Sequence, residues 1–176
     1  MFENWSVDNF LDAFSIILAI IGGIFAYRQW SYANKTRRTE LLNQIMEKLR
    51  FDKEMAETMY AIDYGTRWYD ESFHNSNTDF EYKLDKLLSF LDYICYLKKE
   101  KHFAEAEFRI LRYEVTRVCT SFQVQSYLWN LYHFSNKQGT TCSFQDLIDY
   151  GIDSGSIDHS IFKDKNSGYY PKYLNF

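Results

Sequence analysis

The sequence predicts an all-α protein with a single N-terminal transmembrane helix that continues into a cytosolic bundle of about five helices. Residues that break helices are rare, since Pro171 is the one proline and no glycine lies between Gly23 and Gly65. A long apolar stretch stands near the start of the chain, and farther along apolar residues recur at spacings of three and four. No run alternates convincingly over five residues, so strands are not expected.

Length and composition limit the classes of function. A chain of 176 residues suggests one domain with an appendage, and 19% aromatic residues argue against disorder. The net charge of −4 gives no general signal for nucleic acid. Cys95, Cys119 and Cys142 are far apart and are interpreted as buried thiols in a reducing compartment. The histidines show no metal spacing, so neither a metal nor a cofactor is predicted.

The stretch Ala13–Tyr27 carries no charge and is bounded by Asp12 and Arg28. As a helix it spans about 22 Å, whereas a bilayer core is about 30 Å thick. Aromatic residues extend it on both sides as an interfacial belt would, namely Trp5, Phe10, Tyr27, Trp30 and Tyr32. The favoured interpretation is a membrane anchor, with a transmembrane helix over residues 13–30. A buried core helix of a soluble protein and a re-entrant or interfacial segment remain as alternatives.

Charges around this stretch predict its orientation. The acidic residues Glu3, Asp8 and Asp12 precede it, and four basic residues follow it: Arg28, Lys35, Arg37 and Arg38. Because positive residues stay in the cytoplasm, residues 1–12 should lie outside and residues 31–138 should form a cytosolic bundle. The four cations either contact anionic lipid headgroups or only fix the topology. Residues 139–176 are expected to form a short helix and an irregular aromatic tail.

Small residues within the predicted span suggest self-association. Ala19 and Gly23 are four residues apart, as are Gly22 and Ala26. Such small-xxx-small pairs let two helices approach closely in lipid, which predicts a homo-oligomer. The competing interpretation is that small residues are simply common in membrane helices.

Capping signals divide the rest of the chain. Asp52 should cap a helix that ends at Gly65, and Thr78 with Glu81 matches a capping box after a loop over residues 69–78. Further helices are expected from near Phe103, over residues 124–134, and from Ser143 to Tyr150. The tail after Gly151 loses the helical pattern.

Arg67 and His74 are separated by six residues, a spacing used by the helical HEPN ribonucleases. In such chemistry His74 would act as general base and Arg67 would stabilise phosphate charge. The alternative is a loop whose Trp68, Tyr69 and Phe73 fold back onto the bundle.

A candidate ligand or partner surface comprises Tyr64, Tyr69, Arg109, Arg112, Tyr113 and Arg117. Arginines on one helix face can read phosphate, but mixed charges at this spacing are also typical of an exposed, salt-bridged surface. Residues 54–93 hold nine acidic and three basic side chains, which disfavours nucleic acid as a partner. A Gly-rich phosphate loop and a nucleophile elbow are both missing from the sequence.

After the apolar N-terminal stretch, several short motifs follow in order: Arg37-Arg38-Thr-Glu40, Tyr60-Ala-Ile-Asp-Tyr-Gly65, Tyr69, Phe73-His74, Asp85-Lys-Leu-Leu88, Tyr113 with Arg117, and Val124 with Tyr127. Their order resembles that in a group of small membrane-anchored helical bacterial proteins. Members of that group are often described as phage abortive infection proteins. The resemblance covers roughly residues 13 to 134, and it implies a bacterial inner-membrane protein with a role in phage defence.

Three functional hypotheses follow. The first is a membrane-anchored effector or accessory protein of a phage-defence system, which binds a signal or a defence-system partner and clusters in the membrane. The second is a non-catalytic tether that holds a separate enzyme at the membrane. The third is a ribonuclease that uses Arg67 and His74.

Overall fold

The structure is a computed structural model that describes residues 7–65, 67–76 and 78–176. The fold is all-α, with eight helices and no strand in these ranges. The chain divides into two compact units, Met1–Gln44 and Ile45–Phe176. Of the predicted external N-terminus, Glu3 and Trp5 lie outside the described residues, as does the side chain of Asp8.

The first helix, α1 (Val7–Phe51), runs for 45 residues without interruption. This continuity agrees with the lack of proline from its start to its end, and Gly22 and Gly23 do not break it. Within α1 an 18-residue window has a mean hydropathy of 2.1, and none of that window is buried. Thus α1 is the one helix of the described residues that is long and apolar enough to cross a membrane.

The second unit, residues 45–176, is a helical bundle. Its helices are α2 (Lys53–Tyr64), α3 (Phe73–Ser76), α4 (Thr78–Lys99), α5 (Glu105–Thr120), α6 (Phe122–Lys137), α7 (Gln145–Asp153) and α8 (His159–Lys163). Five of these have nine or more residues, in agreement with the predicted bundle of about five. The central helix is α4, which packs against α2, α3 and α7.

The bundle core consists of the apolar faces that the sequence pattern predicts. On α4 the side chains of Leu84, Leu87, Leu88, Leu91 and Ile94 are fully buried. Further fully buried side chains come from α5, α6 and α7: Phe108, Leu111, Val115, Val118, Val124, Leu128 and Leu147. Removing such large apolar areas from water is the main stabilising contribution to a domain of this size.

Both ends of α2 lie where the sequence predicts them. Asp52 is the N-cap, and its Oδ1 accepts a hydrogen bond of 3.1 Å from the backbone N–H of Met55. Gly65 ends the helix, but its φ of −66° is not left-handed, so its role differs from the usual C-terminal glycine. A Cβ at this position would collide with the carbonyl oxygen of Ala61, and glycine is needed for that close approach.

Other boundaries differ from the prediction in physical detail. The expected loop over residues 69–78 contains the short helix α3. Helix α4 begins at Thr78 as expected, but the Glu81 carboxylate contacts His74 instead of closing a capping box. Phe144, not Ser143, is the N-cap of α7, with no side-chain hydrogen bond.

The tail is irregular, as expected, but it packs as part of the bundle. Tyr170 is buried, and the buried side chain of Asn130 on α6 fastens the backbone around it. Asn130 Oδ1 accepts hydrogen bonds from the N–H groups of Tyr173 (2.8 Å) and Leu174 (3.1 Å), and its Nδ2 donates to the Pro171 carbonyl (2.9 Å). One amide therefore replaces the backbone pairing that an irregular segment lacks.

Candidate functional site

The apolar stretch of α1 is exposed at every position after Ala13. Its large side chains are 51% to 69% exposed, among them Ile16 (60%), Ile20 (57%) and Phe25 (69%). The hydroxyl of Ser15, its one interior polar side chain, donates to the Leu11 carbonyl at 2.9 Å. An apolar helix with its polar groups satisfied internally is the form that a lipid bilayer accepts. In the core helix of a soluble protein, most of these apolar side chains would be buried.

The four small residues share one face of α1. At about 100° per residue, Ala19, Gly22, Gly23 and Ala26 fall within an arc of about 100°. A Cβ added at Gly22 or Gly23 would meet nothing within 4 Å. No other part of the described chain therefore packs closely against these two glycines.

The basic residues after the apolar stretch are not equivalent. Arg28, Lys35 and Arg37 are exposed, whereas Arg38 is half-buried. Tyr27 and Trp30 lie beside Arg28, with ring centroids 6.2 Å apart. This end of the stretch combines exposed cations with amphipathic rings, which is typical of a helix at a membrane surface.

Arg67 and His74 bind different partners. The exposed Arg67 donates from Nη2 to the Tyr173 hydroxyl at 2.6 Å. The imidazole of His74 lies 3.2 Å from the Tyr69 hydroxyl through Nε2 and 2.7 Å from the Glu81 carboxylate through Nδ1. The two residues are linked only indirectly by these contacts. Arg67 contacts Tyr173, the Tyr173 ring lies 5.0 Å from the Tyr69 ring between centroids, and Tyr69 contacts His74.

The surroundings of His74 favour a structural role. Its side chain is 15% exposed, both ring nitrogens have partners, and its ring stacks on Tyr127 at 5.8 Å. A general base must reach the proton that it removes, and here neither nitrogen is unoccupied. The predicted alternative, in which Tyr69 and Phe73 fold onto the bundle, agrees with their exposures of 2% and 1%.

A second polar pair lies against this cluster. The Tyr127 hydroxyl donates to Asp85 Oδ1 at 2.6 Å. Burial raises the pKa of Asp85, and the hydrogen bond from Tyr127 opposes that rise. Burial also raises the pKa values of the Tyr127 and Tyr69 hydroxyls, so both stay protonated. These groups together form a satisfied polar network at the α4–α6 contact.

The proposed ligand surface divides into two places. Tyr69 is buried in the cluster just described, whereas Tyr64 (74% exposed) and Tyr113 (68% exposed) remain at the surface. Arg117 joins α5 to α2, because its guanidinium pairs with Asp63 and with Glu114, the latter at 2.8 Å.

The other arginines of that surface lie along α5. Arg112 pairs with Glu105. A shallow cavity of about 500 Å³ is lined by Arg109, Arg112, Tyr113 and Arg117. The salt-bridged surface predicted as the alternative is therefore present, and the exposed tyrosine and arginine side chains remain on it.

Three amide side chains of α6 were not found from the sequence. Gln123 Oε1 accepts from the N–H groups of Trp68 (2.6 Å) and Tyr69 (3.0 Å). Gln125 accepts from the Tyr170 hydroxyl at 2.6 Å, and Asn130 holds the tail. The sequence did contain one indication of their role: the amides lie on the same helix as buried apolar residues. A buried amide without a hydrogen-bond partner would destabilise the fold.

In the described ranges, no group of three or more His, Cys, Asp or Glu side chains is arranged to hold an ion. The three cysteines are free and buried, as predicted. Burial raises the pKa of the Cys119 thiol to about 12, and it also raises those of Cys95 and Cys142. Buried thiols of this kind are poor nucleophiles and poor metal ligands.

No protein-family model matches this chain, and no curated protein or solved structure does either.

Proposed function

We propose that this chain is a single-pass, membrane-anchored effector or accessory protein of a bacterial phage-defence system. In this proposal α1 inserts into the inner membrane, residues 1–12 face outside, and the helical bundle binds a signal or a defence-system partner in the cytosol. The observation that carries the anchor is the apolar window of α1, none of which is buried. The resemblance of residues 13 to 134 is what supports the defence role.

The dimensions of α1 support insertion. Phe10 and Trp30 lie 20 residues apart on one unbroken helix, so they are separated by about 30 Å, the thickness of a bilayer core. Asp12 lies close enough to one end to reach the headgroups, and Arg28 can extend towards the other interface. Leaving this much apolar surface in water would be strongly unfavourable.

Charge supports the orientation. Asp12 precedes the apolar stretch, and Arg28, Lys35 and Arg37 follow it as exposed cations. Each cation near an anionic membrane surface contributes about 1 kcal/mol of attraction. The cytosolic side of the membrane is therefore the favoured side for the end of α1 that leads into the bundle.

Two further parts of the proposal concern association. In the membrane, Ala19, Gly22, Gly23 and Ala26 would form the contact between copies of α1, because small residues permit close helix packing. In the cytosol, the exposed side chains of α2 and α5 would contact a protein partner, since Tyr and Arg are the residues enriched in such interfaces.

Cell fractionation tests the anchor. We expect the full-length protein in the membrane pellet after high-speed centrifugation, resistant to extraction at alkaline pH and released by detergent. Recovery in the supernatant without detergent would contradict the proposal.

Induced expression tests the effector step. We expect membrane depolarisation with the unaltered protein and a loss of it in Gly22→Leu/Gly23→Leu, because leucines prevent close approach at that face. The matched control is Ile17→Leu/Ile24→Leu, which changes the opposite face and should depolarise as before. Equal depolarisation by all three proteins would remove clustering from the mechanism. Harmless expression together with one stoichiometric partner would instead favour the membrane tether.

A further inference from the structure

A cavity of about 530 Å³ lies on the bundle where the loop after α2, the start of α6 and the tail meet. Its lining includes Arg67, Phe122, Gln123 and Tyr169. A volume of this size falls within the range of small-molecule sites, about 300–1,000 Å³. All of its lining residues belong to the bundle, so an inference about it specifies the signal that the proposed function leaves unnamed and rests on that proposal.

Arg67 places a positive charge in this cavity. Its guanidinium donates one hydrogen bond to the Tyr173 hydroxyl, which fixes the side chain and leaves other N–H donors for a ligand. The nearby Asp70 carboxylate accepts two hydrogen bonds on Oδ1, from the N–H of Ser72 at 2.9 Å and from its hydroxyl at 2.7 Å, and it also interacts electrostatically with Arg67. A fixed guanidinium of this kind is suited to a phosphate group.

Two exposed aromatic rings form another part of the lining. Phe122 is 49% exposed and Tyr169 is 55% exposed, with ring centroids 5.8 Å apart. The buried ring of Tyr170 lies 5.6 Å from Phe122 and 4.9 Å from Tyr169, and so supports both. A flat aromatic ligand can stack on such a surface and cover apolar area that is otherwise in contact with water.

Gln123 adds a directional polar group. Its Oε1 is occupied by the N–H groups of Trp68 and Tyr69, so its orientation is fixed. The amide Nε2 is then the end that remains to donate a hydrogen bond. Charge, aromatic rings and an amide donor occur together in one cavity.

We propose that this cavity binds a small nucleotide, with its phosphate at Arg67, its base against Phe122 and Tyr169, and a base or sugar acceptor at Gln123 Nε2. Neither a phosphate alone nor an uncharged aromatic ring alone uses all three groups. The tail supplies Tyr169 and Tyr173, so an intact tail is part of this site.

Calorimetric titration of the full-length protein in lipid nanodiscs tests the proposal. The probes are the four nucleoside monophosphates and the corresponding linear dinucleotides, each up to 1 mM by design. Adenosine and inorganic phosphate are the comparison ligands, which lack the phosphate and the base respectively. We expect at least one nucleotide to bind, about tenfold or more tighter than either comparison ligand. No binding by any nucleotide would overturn the proposal.

Substitutions locate the binding. Arg67→Gln and Tyr169→Leu should each weaken nucleotide binding by about tenfold, because they remove the phosphate contact and the stacking surface. Tyr169→Phe retains the ring and should bind as before. Arg50→Gln changes an exposed arginine outside this cavity and serves as the matched control. A loss of binding in Arg109→Gln, on α5, with none in Arg67→Gln would place the site on α5 and overturn the proposal.

Photocrosslinking of the unaltered protein gives an answer that does not depend on the folding of variants. An azido derivative of the tightest nucleotide should attach to the peptides that carry Phe122 or Tyr169. Attachment confined to other peptides would overturn the proposal.

Discussion

Asn130 on α6 shows how one buried side chain can fix a segment that has no regular structure. It is 0% exposed, and its amide bonds to three backbone groups of the tail: Pro171, Tyr173 and Leu174. Deleting one partner of a buried hydrogen bond leaves the other unsatisfied, which costs about 1–3 kcal/mol per group. Because three backbone groups of the tail bond to this amide, its loss should disrupt more than one contact.

We therefore expect Asn130→Leu to lower the free energy of unfolding of the bundle by about 2–4 kcal/mol. The same variant should make the tail cleavable by protease under native conditions. Denaturant unfolding and limited proteolysis measure the two effects. Asn136→Ala, on an exposed position of the same helix, is the matched control and should change neither. An unchanged unfolding free energy in Asn130→Leu would show that the tail is held by other contacts.

His133 gives a prediction about pH. It is 8% exposed, and its Nε2 is buried with no hydrogen-bond partner among the described residues. Its pKa is lowered, chiefly by burial; the hydrogen bond with the Phe162 backbone is the largest opposing effect, and Lys165, Asp164 and Lys172 have smaller effects of both signs. A histidine with a lowered pKa binds its proton more readily in the unfolded chain. Stability contributed by neutral His133 is therefore lost as the pH falls through about 6.5.

We expect the bundle to lose stability between pH 7.5 and pH 5.5 with a slope that His133→Gln reduces. Denaturant unfolding at a series of pH values measures that slope. His159→Gln, at an exposed position, is the control and should keep the slope of the unaltered protein. A slope that is the same in His133→Gln would assign the pH dependence to other groups.

At the scale of single helices, α2 depends on its first turn. Asp52 caps it, and Lys86 of α4 contacts both Asp52 (2.8 Å) and Glu54 (2.6 Å). The hydrogen bond from Lys86 and that from the Met55 N–H lower the pKa of Asp52. A lowered pKa means that the carboxylate stabilises the fold at neutral pH and that this contribution is lost as the pH falls below about 4.

Asp52→Ala should lower the free energy of unfolding by about 1–2 kcal/mol at pH 7, through the loss of the cap and of the contact with Lys86. The difference from the unaltered protein should shrink as the pH falls towards 3. Lys53→Ala, at the neighbouring exposed position, is the control and should have little effect. A full effect that persists at pH 3 would contradict the assigned role of the carboxylate.

The helices could be predicted to the extent that local signals specify them. The cap at Asp52, the stop at Gly65 and the apolar face of α4 depend on residues close in sequence, and the structure confirms all three. The link between Glu81 and His74 could not be predicted in this way, because a capping box and a side-chain pair use the same carboxylate. A local sequence pattern does not indicate which of these two partners the Glu81 carboxylate contacts after folding.

The candidate sites were harder to predict than the helices. The arginines of α5 lie on an exposed, salt-bridged face, which charge spacing had indicated as the alternative. The cavity beside Arg67 combines residues that are more than 100 positions apart, since Tyr169 belongs to the tail. The tail carries no periodic signal, and its burial follows from the amides of α6, whose partners cannot be identified from spacing.

At the scale of the whole molecule, the predicted orientation can be measured with cysteines. The native thiols are buried and their pKa values are raised, so they should not react with a membrane-impermeant maleimide. We expect Asn9→Cys to be labelled in intact spheroplasts, and Ser89→Cys, at an exposed position of α4, to be labelled only after lysis. The unaltered protein is the control for background labelling. Labelling of Ser89→Cys in intact spheroplasts would reverse the orientation.

The buried tail also determines the order of events while the chain is being made. The apolar stretch of α1 leaves the ribosome early, whereas the bundle lacks Tyr170 and the backbone partners of Asn130 until about 140 residues later. At synthesis rates of about 5–20 residues per second, that interval lasts about 7–30 seconds. During that time the apolar stretch of α1 is present while the bundle is still incomplete. In the proposed arrangement, insertion of α1 into the membrane can therefore begin before the bundle has folded.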